Sequence, residues 1–105
     1  MIDRIETPTI GEILSEEFMQ PLGISAHRLA GDIFVTETRV RDILSGREKI
    51  GPDMSLRLGL YFGVSDRYFL DIQSDIDIRD EKRAMHDELA KIGPCSTRGP
   101  VGVVS

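Results

Sequence analysis

Residues 25–46 read Ser25-Ala26-His27-Arg28-Leu29-Ala30-Gly31-Asp32-Ile33-Phe34-Val35-Thr36-Glu37-Thr38-Arg39-Val40-Arg41-Asp42-Ile43-Leu44-Ser45-Gly46. Ser25 is a good N-cap for a short helix over about 26–33, with Leu29, Ala30 and Ile33 on its apolar face. Thr36 supplies a second cap, for a helix that carries Val40, Ile43 and Leu44 inward and stops at Gly46, a natural C′ residue. Two short helices about three residues apart must pack at a steep angle, and a small residue has to sit where they cross. Ala30 fills that place, Val40 and Ile43 lock the second helix behind it, and Phe34 lies in the turn. The N-terminal turn of the second helix then protrudes with its polar side chains free. That is the pattern of a helix-turn-helix, whose second helix fits the DNA major groove.

The side chains offered to base edges are Thr36, Glu37, Thr38, Arg39, Arg41 and Asp42. Arginine can bond guanine bidentately and a threonine methyl can touch thymine. Glu37 or Asp42 can accept from cytosine or orient an arginine. Arg39→Ala is expected to relax the choice of one base pair. Arg47 and Lys49 follow the helix where a DNA backbone would pass, and Ser25, His27, Arg28 and Ser45 flank it; these are the phosphate candidates, which give affinity without sequence choice. Spacing alone leaves a plain bundle with a solvated charged face equally open, since capped short helices are common.

Working outward, Thr9 and Glu12 form a capping box that opens a helix through about Gln20, with Pro21 and Gly23 breaking it. Gly51-Pro52 reads as a loop, with Asp53 capping a fourth helix closed by Gly63. Ser65 caps a short fifth, and a charged sixth segment runs from about Asp75 to Ile92. No stretch of the ordered region alternates in the manner of a strand. The fold expected is all-α, a bundle of five to six helices with a charged C-terminal helix. Its parts are an arm over 1–8, a helix-turn-helix domain over 9–74, the charged helix over 75–93 and a loose tail over 94–105. Tyr61, Phe62, Tyr68 and Phe69 are expected to pack the fourth and fifth helices. Ile78, Met85, Leu89 and Ile92 share a stripe at near-heptad spacing, a candidate dimer contact or a docking stripe onto the bundle itself. Glu12, Glu16 and Glu17 make the first helix an acidic face, a candidate contact for a basic partner protein.

The 105 residues carry a net charge of −5, with 40% hydrophobic and 30% charged residues. That is a soluble globular balance. The charge is uneven: residues 28–57 hold six basic side chains against five acids, whereas residues 1–27 hold one arginine against five acids. The middle is the longest stretch that is not acidic, which tilts weakly towards nucleic acid. No apolar run approaches the ~20 residues of a membrane span, and the charged N-terminus lacks a signal region, so a cytoplasmic place is expected. Two histidines and one cysteine make no metal site, no cofactor motif stands out, and no nucleophile–base pair or phosphate-cradling loop suggests an enzyme.

Five stretches in order resemble the HigA/VapI-type antitoxins. They are Gly11-Glu12-Ile13-Leu14-Ser15-Glu16-Glu17-Phe18-Met19-Gln20-Pro21-Leu22-Gly23-Ile24-Ser25; then Arg28-Leu29-Ala30 with Arg39-Val40-Arg41-Asp42-Ile43-Leu44-Ser45-Gly46-Arg47; then Leu56-Arg57-Leu58-Gly59-Leu60-Tyr61-Phe62-Gly63-Val64-Ser65 with Tyr68-Phe69-Leu70-Asp71-Ile72-Gln73. The resemblance covers about residues 8–93. It implies an Xre/Cro-like (lambda-repressor-like) fold, a homodimer on a palindromic double-stranded operator at its own promoter, and neutralisation of a small basic RelE-like ribonuclease toxin. The chain departs from the family at Phe34, where Gly is usual, at Ala26, where Gln is frequent, at Glu37, where Pro or Ser is frequent, and at Phe69, where Trp is common. Phe34 implies either a turn of another shape or a side chain plugging the core. A repressor without a toxin, and an interaction module without DNA binding, are the alternative readings.

Overall fold

The computed structural model describes residues 8–95, and among them every regular element is helical. The expected arm and tail lie almost wholly outside the described residues.

Helix α1 spans residues 10–22 in three registers: an α-helical start Ile10–Ile13, a π-helical stretch Leu14–Met19 and a short close Gln20–Leu22. Its start is the expected capping box. Glu12 N–H donates to Thr9 Oγ1 at 3.1 Å, and Thr9 N–H donates to Glu12 Oε1 at 3.0 Å. The π register, in which Gln20 N–H reaches Ser15 O, was not expected from the sequence. It explains why Pro21 sits inside the helix instead of ending it. A widened turn relieves the clash of a proline ring with the carbonyl four residues back. The chain turns at Gly23, where φ is 65°.

Helix α2 (Ala26–Ile33) and helix α3 (Glu37–Ser45) are capped as expected by the hydroxyls of Ser25 and Thr36, which accept from Arg28 N–H and Arg39 N–H. Helix α4 (Pro52–Phe62) begins differently. Gly51 is the N-cap and Pro52 the first helical residue, because a proline's missing N–H costs nothing there. Asp53 is therefore in the first turn and does not cap. Helix α5 (Tyr68–Ala84) is one continuous helix with no side-chain cap at its start, so Ser65 does not cap it and no break separates residues 74 and 75. It holds no glycine or proline to break it. A four-residue helix α6 (His86–Leu89) follows the kink at Met85.

The core draws on α1 to α5, most heavily on α2, which buries Ala26, Leu29, Ala30 and Ile33. Leu14, Leu29, Val40, Ile43, Met54, Leu58 and Phe69 are sealed from solvent, with Ile50 from the α3–α4 loop. Each contributes about 1.5–3 kcal/mol of burial. Phe18 of α1 joins the expected aromatic group, its ring centroid 4.9 Å from Phe69 and 5.2 Å from Phe62. Two glycines permit close backbone approach. A Cβ on Gly11 would lie 2.4 Å from the Leu44 carbonyl oxygen, and one on Gly59 would lie 2.6 Å from that of Ser65. The few buried polar groups are paired. Gln73 accepts from Ile50 N–H at 3.0 Å, and Ser55 Oγ donates to Asp66 O at 2.7 Å while accepting from Leu70 N–H.

Candidate nucleic-acid interface

Helices α2 and α3 meet as the spacing requires. Ala30, Val40 and Ile43 are all buried at their crossing, which leaves the start of α3 projecting. Phe34 is a correction: it does not plug the core. It sits in the left-handed region, φ 62° and ψ 47°, and its side chain is 86% exposed. The turn demands that conformation, because Val35 N–H has to return to Ala30 O at 3.0 Å to close α2. A residue there turns its side chain away from the helix pair, at a strain of roughly 1–2 kcal/mol for any side chain but glycine. The turn keeps its shape partly through α4. Arg57 Nη1 donates to Ile33 O at 2.7 Å and to Phe34 O at 3.4 Å.

The six base-facing candidates divide between the two flanks of α3. Thr38 and Arg41 lie on the exposed flank, with Asp42 half-buried beside them and Ser45 one turn on. Glu37 Oε2 accepts from both Nε (2.7 Å) and Nη2 of Arg41, and Glu37 Oε1 lies 3.1 Å from His27 Nδ1. Arg41 and then His27 hold the Glu37 carboxyl below its ordinary value. Thr36 spends its hydroxyl on the cap. Arg39 turns the other way, on the flank that leads to buried Ile43. Its Nε donates to Glu48 at 2.9 Å and its Nη1 to Asp53 at 3.2 Å. The bond to Glu48 raises its already high pKa further. Its guanidinium thus braces the α3–α4 loop, where the sequence suggested a base reader.

The phosphate candidates also have partners. Arg28 pairs with Asp32 at 3.4 Å, Arg47 with Asp42 at 3.5 Å and Lys49 with Asp77 of α5 at 3.2 Å. Ser25 is a cap and Ser45 Oγ donates to Asp42 O. Sequence reasoning missed Asp53, Arg57 and Glu48, which hold the motif from behind. The four-residue spacing of Asp53 and Arg57 on one helix was the available signal; their Nε–Oδ1 distance is 3.0 Å.

Elsewhere, Glu12 is committed to the capping box, and Glu16 and Glu17 are exposed. Ile78 (55% exposed), Leu89 and Ile92 (71%) stay out of the bundle, with Met85 half-buried at the kink. No described helix is long and apolar enough to cross a membrane, and no cluster of metal-ligating side chains occurs among the described residues.

A helical bundle with a braced, projecting polar helix is a helix-turn-helix domain. No family model matches the chain. It is 40% identical over 76 residues to Virulence-associated protein I of Dichelobacter nodosus, covering 70% of each. It is 27% identical over 86 residues to antitoxin HigA-1 of Vibrio cholerae, covering 82% of this chain and 81% of that one. Among solved structures it resembles the Pseudomonas aeruginosa antitoxin HigA with the higBA promoter, with TM-score 0.80 and 30% identity over 87% of this chain and 100% of that one. Antitoxin GraA in complex with its operator matches with TM-score 0.76 and 29% identity over 97% of this chain and 99% of that one. The chain belongs to the HigA/VapI-type family of Xre/Cro-like helix-turn-helix antitoxins.

Proposed function

We propose that this protein is an antitoxin and transcriptional autorepressor that binds double-stranded operator DNA by laying the start of α3 in the major groove. The observation that carries the reading is the projecting polar end of α3, braced by buried Ala30, Val40 and Ile43, in a fold shared with two operator-bound antitoxins. Thr36, Glu37, Thr38, Arg39, Arg41 and Asp42 form or support the base-facing end. Ser25, His27, Arg28, Ser45, Arg47 and Lys49 border the phosphates. Their present ion pairs are no obstacle, because an exposed pair is worth only about 0–1 kcal/mol and a cation can exchange its carboxylate for a phosphate. The protein acts in the cytoplasm by binding, not by catalysis, and needs no cofactor.

The proposed homodimer contact is Ile78, Met85, Leu89 and Ile92, which the kink at Met85 divides between α5 and the segment after it; a palindromic operator requires two copies of α3 about 34 Å apart, one DNA turn. The toxin is a small basic RelE-like ribonuclease, and the acidic face of α1 around Glu12, Glu16 and Glu17 is its proposed contact, on charge complementarity. Two experiments test the proposal. Gel shifts on the protein's own upstream region should show binding that weakens steeply with salt. Co-expression with the adjacent reading frame should yield a co-purifying complex. No shift at any salt leaves an interaction module, and no complex leaves a repressor without a toxin.

A further inference from the structure

The two arginines of the recognition helix face different groups, and their surroundings assign them different work. Arg39 lies on the inward flank of α3, four residues before buried Ile43, and its guanidinium is held between Glu48 and Asp53. A base contact would break both bonds, which tie α3 to the α3–α4 loop at Glu48 and to α4 at Asp53. Arg41 lies on the outward flank and is held on one side only. Glu37 Oε2 takes the Nε–Nη2 side of its fork, and no other described group bonds it. The end formed by Nη1 and the second hydrogen of Nη2 is left uncommitted. That end presents two parallel N–H donors, the geometry that matches guanine O6 and N7.

Glu37 is fixed from its other side as well. An ionised carboxylate only accepts hydrogen bonds, so His27 Nδ1 is the donor across the 3.1 Å to Glu37 Oε1. The carboxylate is thus clamped between the start of α2 and the second turn of α3. Its negative charge is answered by Arg41 and screened from an approaching phosphate. This resolves why an acidic residue can stand at the mouth of a DNA-reading helix.

We infer that Arg41 is the guanine reader of each half-site, that Glu37, steadied by His27, is the positioning residue that aims it, and that Arg39 frames the helix without reading a base. This rests on the DNA-binding reading above and deepens it. The test is fluorescence anisotropy of the full chain on its footprinted operator and on a panel with each base pair replaced in turn. Wild type should lose about 5- to 150-fold in affinity when one particular G·C pair per half-site is replaced, the range for one bidentate contact.

Arg41→Ala should bring that ratio close to one and leave the ratios at other positions as they were. Glu37→Ala should lower the same ratio while raising affinity for unrelated DNA, because the positive charge of Arg41 is no longer offset. A merely structural role for Glu37 would not move the two in opposite directions. Arg39→Ala should weaken every operator by a common factor and lower the melting temperature. Arg39→Lys and Glu48→Gln repeat that measurement in case Arg39→Ala does not fold. The inference is overturned if an Arg39 variant erases a single-position ratio, if Arg41→Ala keeps them all, or if Glu37→Ala leaves the guanine ratio at its wild-type value. Failure of wild type to bind at any salt would instead overturn the DNA-binding reading itself, and the inference with it.

Discussion

Arg57 donates from Nη1 to the Ile33 carbonyl oxygen 2.7 Å away, and so ties the turn between α2 and α3 to α4, 24 residues on in sequence. The same guanidinium is steadied by both carboxylate oxygens of Asp53, at 3.0 and 3.1 Å. The turn that sets the angle of the recognition helix is therefore held by a side chain outside the motif. Arg57→Ala should cost about 1–3 kcal/mol, the value of a charge-assisted hydrogen bond to a carbonyl left partly buried. Urea unfolding measures it. A change under about 0.5 kcal/mol, within the scatter of ordinary surface substitutions, would show that the turn holds itself.

Phe34 carries backbone strain that its exposed ring does not offset. Phe34→Gly should raise stability by about 0.5–1 kcal/mol, because glycine adopts positive φ freely and its extra chain entropy cancels only part of the gain. Phe34→Ala should give no such gain, since alanine keeps the Cβ. The pair of melting curves separates backbone strain from any contribution of the ring.

Gly11 lets α1 cross the end of α3. Gly11→Ala would press a methyl against the Leu44 carbonyl, and backbone yields less readily than a side chain. The expected loss is about 1–3 kcal/mol, with weaker operator binding because α3 itself must shift. Thermal unfolding and anisotropy together check both halves of that statement.

The carboxyls of Glu37 and Asp53 are both held low, Glu37 first by Arg41 and Asp53 first by Arg57. A depressed carboxyl favours the folded state above its unfolded value, and that favour is lost as pH falls through its folded value. Stability should thus be level from pH 8 to about 5 on this account. It should decline as pH drops through the ordinary values of 4.5 and 3.8 and below. Glu37→Gln with Asp53→Asn should flatten part of that decline in urea midpoints measured across pH. Both groups are exposed, so the effect is small.

The parts of this fold that were legible in the sequence are those set by near neighbours. Thr9, Ser25 and Thr36 each cap the helix that follows, and Gly46 and Gly63 each end one, because hydroxyl caps and left-handed glycines act within three or four residues. The burial of Ala30, Val40 and Ile43 followed from helical spacing alone. Other features depended on what the chain meets in space. Asp53 looked like a cap because of its type, but Pro52 had already claimed the first helical position. The charged segment from about Asp75 read as a separate helix, yet nothing upstream ended α5. Phe34 gave its side chain to the reader and hid its φ. The commitment of Arg39 to Glu48 and Asp53 spans up to 14 residues, and the sequence lists both arginines of α3 as equals.

The central claim is that the start of α3 is what meets DNA. Backbone amide shifts of the labelled protein, titrated with a duplex of its own promoter at moderate salt, test it most directly. The account predicts that the largest changes fall on residues 36–42, with a second group at residues 25–28 and 45–49, and that unrelated DNA perturbs mainly the second group. Changes centred on α1 or α5, with residues 36–42 unmoved, would contradict it.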